Sequence, residues 1–240
     1  MPYLYQQACK NLILTAISPE DYSRLEPHFE DVALCRGSIL VRANSPASHV
    51  YFPQDGVVSI VSEYADKWPT EVGLFGLDGM SAAFLLLGAP DTPHQSVVQI
   101  SGVHALRIET ALFLQVVARS ETLRATLLRY VQVLMIQTAQ STVAIAHQLI
   151  EARIARWLLM CHDRVRADEI VVTHEIMSTM ITAQRSGVTI GIHSLEGKGL
   201  IRSSRGRIFI LDRAALLLLA GEGYGMPETQ FSKLLVPFGK

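Results

Sequence analysis

Cysteine is scarce in this 240-residue chain: there are three, Cys9, Cys35 and Cys161. They lie far apart with no CxxC pair, which points away from a disulfide framework and towards reduced thiols in the cytoplasm. Charge is sparse as well, at 18% of residues, while 49% are hydrophobic. That balance excludes a disordered chain and leaves enough apolar material for a core. Mean hydropathy, +0.27, is high for a soluble protein, yet no run of about 20 uninterrupted apolar residues exists to cross a membrane. Ala82–Ala89 is too short, and 123–154 is broken by Arg124, Arg129, His147, Glu151 and Arg153. The surplus apolarity is expected to lie in oligomer contacts, and no membrane partner is expected. No charged-then-apolar leader opens the chain. No GxSxG, P-loop or catalytic acid pair is present, so an enzyme is not expected. Glu20-Asp21 and Asp168-Glu169 read as solvated helix-end charges.

The most informative stretch that is present runs from 173 to 213. Thr173 can cap a short helix, His174 to Ile181, carrying Ile176, Met177, Met180 and Ile181. A tight break follows at Thr182-Ala183. A second helix, about Gln184 to Glu196, has Val188, Ile192 and Leu195 on one stripe and Arg185, Ser186, Thr189 and His193 off it. Gly197 and Gly199 stop it. Strand-like Leu200-Ile201, a polar turn Ser203-Ser204-Arg205-Gly206 and a β run Arg207–Leu211 complete the pattern. Helix, turn, helix and hairpin spell a winged helix-turn-helix whose second helix suits a DNA major groove. The segment holds six Lys/Arg against three acids, net +3, whereas residues 1–147 hold nine against thirteen, net −4. Phosphate binding needs such a local excess rather than a global one.

Upstream, residues 1–30 read as helical, with Ser18-Pro19-Glu20 as a helix start. Seven short β-rich runs follow between 31 and 109 (Val32–Leu34, Ser38–Val41, His49–Phe52, Val57–Val61, Glu71–Phe75, Ser96–Ile100, His104–Ile108). Turn signals such as Arg36-Gly37 and Ser101-Gly102 separate them, the rhythm of a β-roll or jelly-roll barrel. Gly79–Gly88 interrupts it as a short helix, either lining a pocket or filling core. A helical piece, Ala111–Ala118, precedes a long helix from Glu121 to Ala146. Its Leu123, Leu127, Tyr130, Leu134, Gln137, Ser141 and Ala144 recur at heptad steps, the seam of a paired helix. Leu128, Val131, Met135 and Val143 supply a second apolar side for the barrel. Gln148–Val165 is another amphipathic helix, leading through Arg166–Glu169 into the winged module. The Gly- and Pro-rich tail from Gly221 reads as loose at its end. The fold class is therefore α+β, organised as a β-roll over 1–120, a dimerisation helix over 121–146 and a winged helix-turn-helix over 147–240.

This order resembles the CRP/FNR superfamily of transcription regulators, over nearly the whole chain. The stretches that carry the resemblance are RSGVTIGIHSLEGKGLI at 185–201, RYVQVLMIQTAQ at 129–140 and EARIARWLLMCHDR at 151–164. The segments Glu71–Met80 and Arg205–Arg213 are similar to motifs of one branch. The resemblance implies a homodimer that binds a palindromic operator in double-stranded DNA. It also implies contact with RNA polymerase and control by an unidentified small-molecule signal sensed in the β-roll.

Carried over residue by residue, the family's recognition positions fall on Arg185, Ser186 and Ile190. Arg185 can pair bidentately with a guanine edge. Ser186 and Ile190 stand where relatives often have glutamate and arginine, which implies a different operator. Gln184, Thr189 and His193 add polar candidates. Thr173, His174, Lys198, Arg202, Arg205 and Arg207 complete the expected DNA-contact set. Gly187 and Gly191 cost the helix about 1 kcal/mol each relative to alanine, and suit close approach to DNA or to the first helix.

The expected effector pocket comprises Met80, Ser81, His94, Gln95, Tyr130 and Gln137. In cyclic-nucleotide-binding relatives a glutamate holds the ribose and an arginine the cyclic phosphate. Those sites fall on Met80 and near His94 or Gln95, which argues against cyclic AMP or GMP. Three scattered cysteines cannot hold an iron–sulfur cluster. Among eight histidines and Pro2, no spacing singles out a haem ligand. No cofactor is expected. The alternative is a ligand- or metal-binding barrel, a cupin-like enzyme whose winged helix serves protein contacts. His49, His94 and His104 lack the close HxH spacing that would favour it.

Overall fold

The computed structural model describes residues 5–64, 68–100, 103–165 and 167–239. Pro2, the turn at Ser101-Gly102 and the linker residue Arg166 lie outside them. A 3₁₀ turn, Gln6–Ala8, and two short α-helices open the described chain. In α1 (Leu12–Ala16) the Asn11 side chain accepts from the amides of Ile13 and Leu14. In α2 (Pro19–Leu25) Ser18 accepts from the Asp21 amide and proline occupies the first turn. Both ends use side-chain oxygens for amides that a helix start leaves unpaired.

Seven strands then build the roll: β1 (Glu30–Leu34), β2 (Ile39–Val41), β3 (His49–Pro53), β4 (Val57–Tyr64), β5 (Trp68–Phe75), β6 (Gln95–Ile100) and β7 (Val103–Glu109). They pair antiparallel in two sheets, ordered β1-β7-β3 and β2-β6-β4-β5. Val50, Phe52, Leu106, Ile108 and Phe113 fill one side of the roll. The interrupting segment is a single 3₁₀ piece, Ala83–Leu87, entered through Ala82 in the left-handed region (φ 55°) and left through Gly88.

Helix α3 (Thr110–Ala118) leads into α4 (Glu121–His147), capped by Ser120. The face of α4 expected to meet a partner is instead turned inward. Leu123, Leu127 and Tyr130 sit in the core of their own roll. Leu134 packs on that core, Gln137 Oε1 accepts from the Leu74 amide at 2.8 Å, and Ser141 Oγ accepts from Arg156 at 3.0 Å. Burying a leucine fully is worth roughly 1.5–3 kcal/mol, and the roll already collects it. The exposed residues of α4 form a second seam, shifted in phase: Ala125, Gln132, Met135, Ala139, Thr142 and Ala146, with Leu128 half-buried among them. These too recur at steps of 3 and 4.

The C-terminal module comprises α5 (Ile150–Val165), β8 (Glu169–Ile170), α6 (His174–Met180), α7 (Arg185–Gly197), β9 (Ile201–Ser204), β10 (Arg207–Ile210), α8 (Arg213–Ala220) and α9 (Met226–Leu234). Its sheet has three strands, β8-β10-β9, one more than the hairpin alone predicts. The tail is not loose. Helix α9 packs on α4, Phe231 is buried in the roll's core, and Phe238 meets the Phe231 ring at a tilt and lies under the Arg164 guanidinium.

Roll and module share one core. Val57, Leu74 and Ile100 of the roll cluster with Trp157, Leu158, Met180 and Ile192 of the module. Polar side chains bond across this boundary. Trp157 Nε1 donates to Glu71 Oε1 at 3.0 Å, and Arg164 grips Asp78 through Nε (2.9 Å) and Nη2 (2.5 Å). A charge pair this deep is costly to desolvate and holds only with fork-on-carboxylate geometry.

Candidate nucleic-acid interface and sensor cavity

The helix-turn-helix is held from behind. Thr182, at the turn between α6 and α7, takes φ 53°, a strained value for a β-branched residue. Arg153 of α5 donates to the Ile181 carbonyl and, at 2.6 Å, to that of Thr182. The turn is thus clamped by a guanidinium from another helix, which holds α7 at a set angle. Gly187 and Gly191 explain the close contact between α7 and α5. A Cβ at Gly187 would come within 2.8 Å of Ile150, and one at Gly191 within 2.7 Å of Ile154. The glycines therefore serve approach to α5, not to DNA or to α6.

With Val188, Ile192 and Leu195 inward, α7 presents Gln184, Arg185, Ser186, Ile190 and His193 outward, all exposed. Ile190 is 70% exposed, a costly placement for an isolated monomer and a suitable one for contact with a thymine methyl. Arg185 forms no ion pair with a described residue. Arg205, at the tip of the β9–β10 wing, is likewise exposed and unpaired among the described residues.

The other expected contacts are partly engaged within the protein. Thr173 Oγ1 caps α6 by accepting from the Ile176 amide at 3.2 Å. His174 Nδ1 and Thr189 Oγ1 lie 3.1 Å apart and tie α6 to α7. Burial, with the Arg185 guanidinium nearby, holds the His174 imidazole below its ordinary pKa. Lys198 pairs with Glu151 at 2.5 Å and Arg207 with Glu169 at 2.6 Å, both on the surface. Such pairs are weak enough to open for a phosphate. Arg202 stacks over Phe209, centroid distance 4.8 Å, which aims it along the wing. Arg213, one of the six cations counted in the basic segment, is structural: it bonds Asp163 at 2.8 Å and Tyr224 at 3.1 Å.

In the roll, Met80 and His94 line a cavity of about 570 Å³ between the four-stranded sheet, the 3₁₀ piece and α4. The other four expected pocket residues do not line it. Ser81 Oγ accepts from the Tyr51 amide, Gln95 pairs with Val61 in the strand ladder, Tyr130 donates to the Met80 carbonyl at 3.2 Å, and Gln137 caps Leu74. They hold the walls. The α4 residues that line the cavity are Val131, Leu134, Met135, Thr138 and Ala139. Sequence reasoning missed all of these as pocket residues: it placed Leu134 in the partner seam and Val131 and Met135 on the side packed against the barrel, with no cavity between.

No three His, Cys, Asp or Glu side chains converge on a common point among the described residues. No described helix is long and apolar enough to cross a membrane.

Residues 152–219 match the Crp-like helix-turn-helix domain. No curated protein sequence matches the chain. Among solved structures, a CRP-family transcriptional regulator from Thermus thermophilus is 20% identical. The match spans 80% of this chain and 97% of that one, with a TM-score of 0.66. FixK2 from Bradyrhizobium japonicum is 12% identical over 80% and 98%, TM-score 0.68. The c-di-GMP responsive global regulator CLP of Xanthomonas campestris is 16% identical over 80% and 99%, TM-score 0.64. At these identities the likeness is one of fold.

Proposed function

With a Crp-like helix-turn-helix set on the fold of CRP-family regulators, we propose that this protein is a homodimeric, cytoplasmic transcription regulator, not an enzyme. It binds a palindromic operator in double-stranded DNA, contacts RNA polymerase and answers to a small-molecule signal. Residues 1–120 act as the sensor, 121–146 as the dimer helix and 147–240 as the DNA module. Helix α7 enters the major groove with Arg185, Ser186, Ile190 and His193 towards base edges, while the wing lays Arg205 and Arg207 along the backbone. The observation that carries this reading is the outer face of α7: polar and apolar side chains held out by a clamped turn, with few partners inside the protein.

The dimer forms through the outward seam of α4, where Ala125, Ala139 and Ala146 admit close approach and Leu128 and Met135 supply knobs. A two-fold pair then presents two α7 helices to half-sites about one helical turn apart. Cyclic nucleotides are not the signal in this reading, since no Lys or Arg among the described residues lines the cavity to meet the phosphate. In vitro selection of bound DNA tests the whole. A palindromic consensus is expected, and enrichment no better than random sequence would overturn it. Met135→Glu with Ala139→Glu should yield monomers by light scattering; an intact dimer would remove α4 as the interface.

A further inference from the structure

Residues past 219 lie beyond the match to the Crp-like domain. They leave the winged module at the end of α8 and run back to the roll, crossing the break between α4 and α5. At that break Gln148 is extended (φ −95°, ψ 144°), and two residues separate the helices. The helical ladder ends there, so the angle between α4 and α5 depends on what packs around it. Side chains from both sides of the break close on one stretch of the tail. Gln140 of α4 donates to the Glu222 carbonyl at 2.7 Å, Gln148 to the Ala220 carbonyl at 2.7 Å, and Arg156 Nε of α5 to the Gly223 carbonyl at 2.9 Å. The approach is close: a Cβ at Gly223 would come within 2.6 Å of Gln148 Cδ. Further on, the tail enters the roll. Phe231 is 1% exposed in the roll's core, and Leu234, Leu235, Val236 and Phe238 pack on the same core. Ser232 Oγ accepts from the Phe238 amide at 3.0 Å and folds the last residues back. The Phe238 ring lies 5.2 Å from the Arg164 guanidinium, which grips Asp78 of the roll. The direct contact between roll and module draws on Val57, Leu74 and Ile100 of the roll. The tail adds a second apolar anchorage, in a different core.

We propose that residues 221–238 form a strap that spans the α4–α5 break and holds the DNA module on the roll in one orientation. The strap is continuous with α8 at one end and anchored in the roll at the other. It therefore closes the chain into a loop around the break, which leaves the module few orientations. Any turn of the module about the break requires the Phe231 anchor to leave the roll. The use of this hold in regulation rests on the regulator reading. The hold itself does not.

The test uses the full chain without DNA. Spin labels go on Cys35, exposed on the roll, and on the wing through Ser204→Cys; Cys9 and Cys161 are buried. Labelled chains are diluted with unlabelled ones, so that pulsed electron resonance reads distances within a chain. A single narrow distance is expected. Phe231→Asp puts a carboxylate against an apolar core and should release the strap. Tryptic cleavage after Lys233, on the exposed side of α9, should then speed up at least about tenfold, because cleavage follows the population of the opened segment. The distance distribution should widen roughly twofold, as expected of domains whose joint interface is reduced. Phe238→Ala, and Gln140→Ala with Gln148→Ala, leave the Phe231 site filled and should widen it in the same direction by less. Circular dichroism checks that each variant stays folded. A substitution that merely destabilises the chain lowers the melting temperature without widening the native distance. A broad distance in the unaltered chain, cleavage after Lys233 unchanged in Phe231→Asp, or a distance as narrow in the folded variants as in the unaltered chain would each overturn the proposal. No step reads DNA affinity, so a failure here is distinct from a failure of the regulator reading.

Discussion

The two faces of the C-terminal module treat the same residue types in opposite ways. On the inner face, Arg164 is 1% exposed, gripped by Asp78 and set over the Phe238 ring, and Trp157 donates to Glu71. On the outer face, 21 positions further on, Arg185 has no ionic partner among the described residues, and Ile190 stands in solvent. Polar groups that the protein satisfies itself hold the architecture. Polar groups left without an internal partner are the ones available to something outside. The contrast predicts that inner-face substitutions change stability and outer-face ones change only DNA affinity.

Asp78→Ala should have the largest effect. It strands the Arg164 guanidinium in the interior, and removing one partner of a buried pair costs about 3–5 kcal/mol. Urea denaturation measures this, and a loss under about 1 kcal/mol would break the comparison on its inner side.

Glu71 sharpens the same side. Burial pushes its carboxyl up to about 7, against the opposing pull of bonds from Ser59 and Trp157. The folded value lies above the unfolded one, so the folded chain binds the extra proton. That contribution to stability is complete below about pH 4.5 and is lost as pH rises towards and through 7, on the order of 3 kcal/mol at most. Glu71→Gln should flatten this part of the pH–stability curve and stabilise the chain at about pH 8. An unchanged slope would show that Glu71 is not its source.

On the outer face, Arg185→Ala should leave thermal stability within about 0.5 kcal/mol. It should cost roughly 1–3 kcal/mol on the selected operator and little on random DNA, because only base contacts carry sequence. Equal loss on both DNAs would mean that α7 is not the reader. Arg205→Ala should have the smallest effect. It should weaken both DNAs alike and reduce the slope of log K against log salt by about one, since one fewer counterion is released. Binding isotherms at several salt concentrations decide this.

Much of the fold was legible because its signals are local. All seven strand runs of the roll, the helix-turn-helix and the wing follow from alternation, capping residues and glycine stops within a dozen positions. Ser18 and Thr173 cap the helices that follow them, and Val188, Ile192 and Leu195 form the inner stripe of α7. The outer face of α7 followed from the same periodicity. Helix α9 was missed because Gly225 and Pro227, which look like tail residues, here begin a helix whose hold comes from Phe231 inside the distant roll.

Helix α4 shows where local pattern ends. Two seams one residue apart, Leu127 with Leu134 and Leu128 with Met135, both satisfy heptad spacing. Periodicity by itself cannot say which the roll will cover. The sequence alone determined that α4 would be long and two-sided, that a basic winged helix-turn-helix would follow, and which residues α7 would turn away from its core. Only the tertiary structure decided which side of α4 the roll takes, that Gln137 and Tyr130 brace walls instead of lining a pocket, and that Met80 and His94 line a cavity. The reason is physical: spacing assigns residues to faces through a geometry of about 3.6 residues per turn, whereas the neighbour of each face is set by packing between segments far apart in the chain.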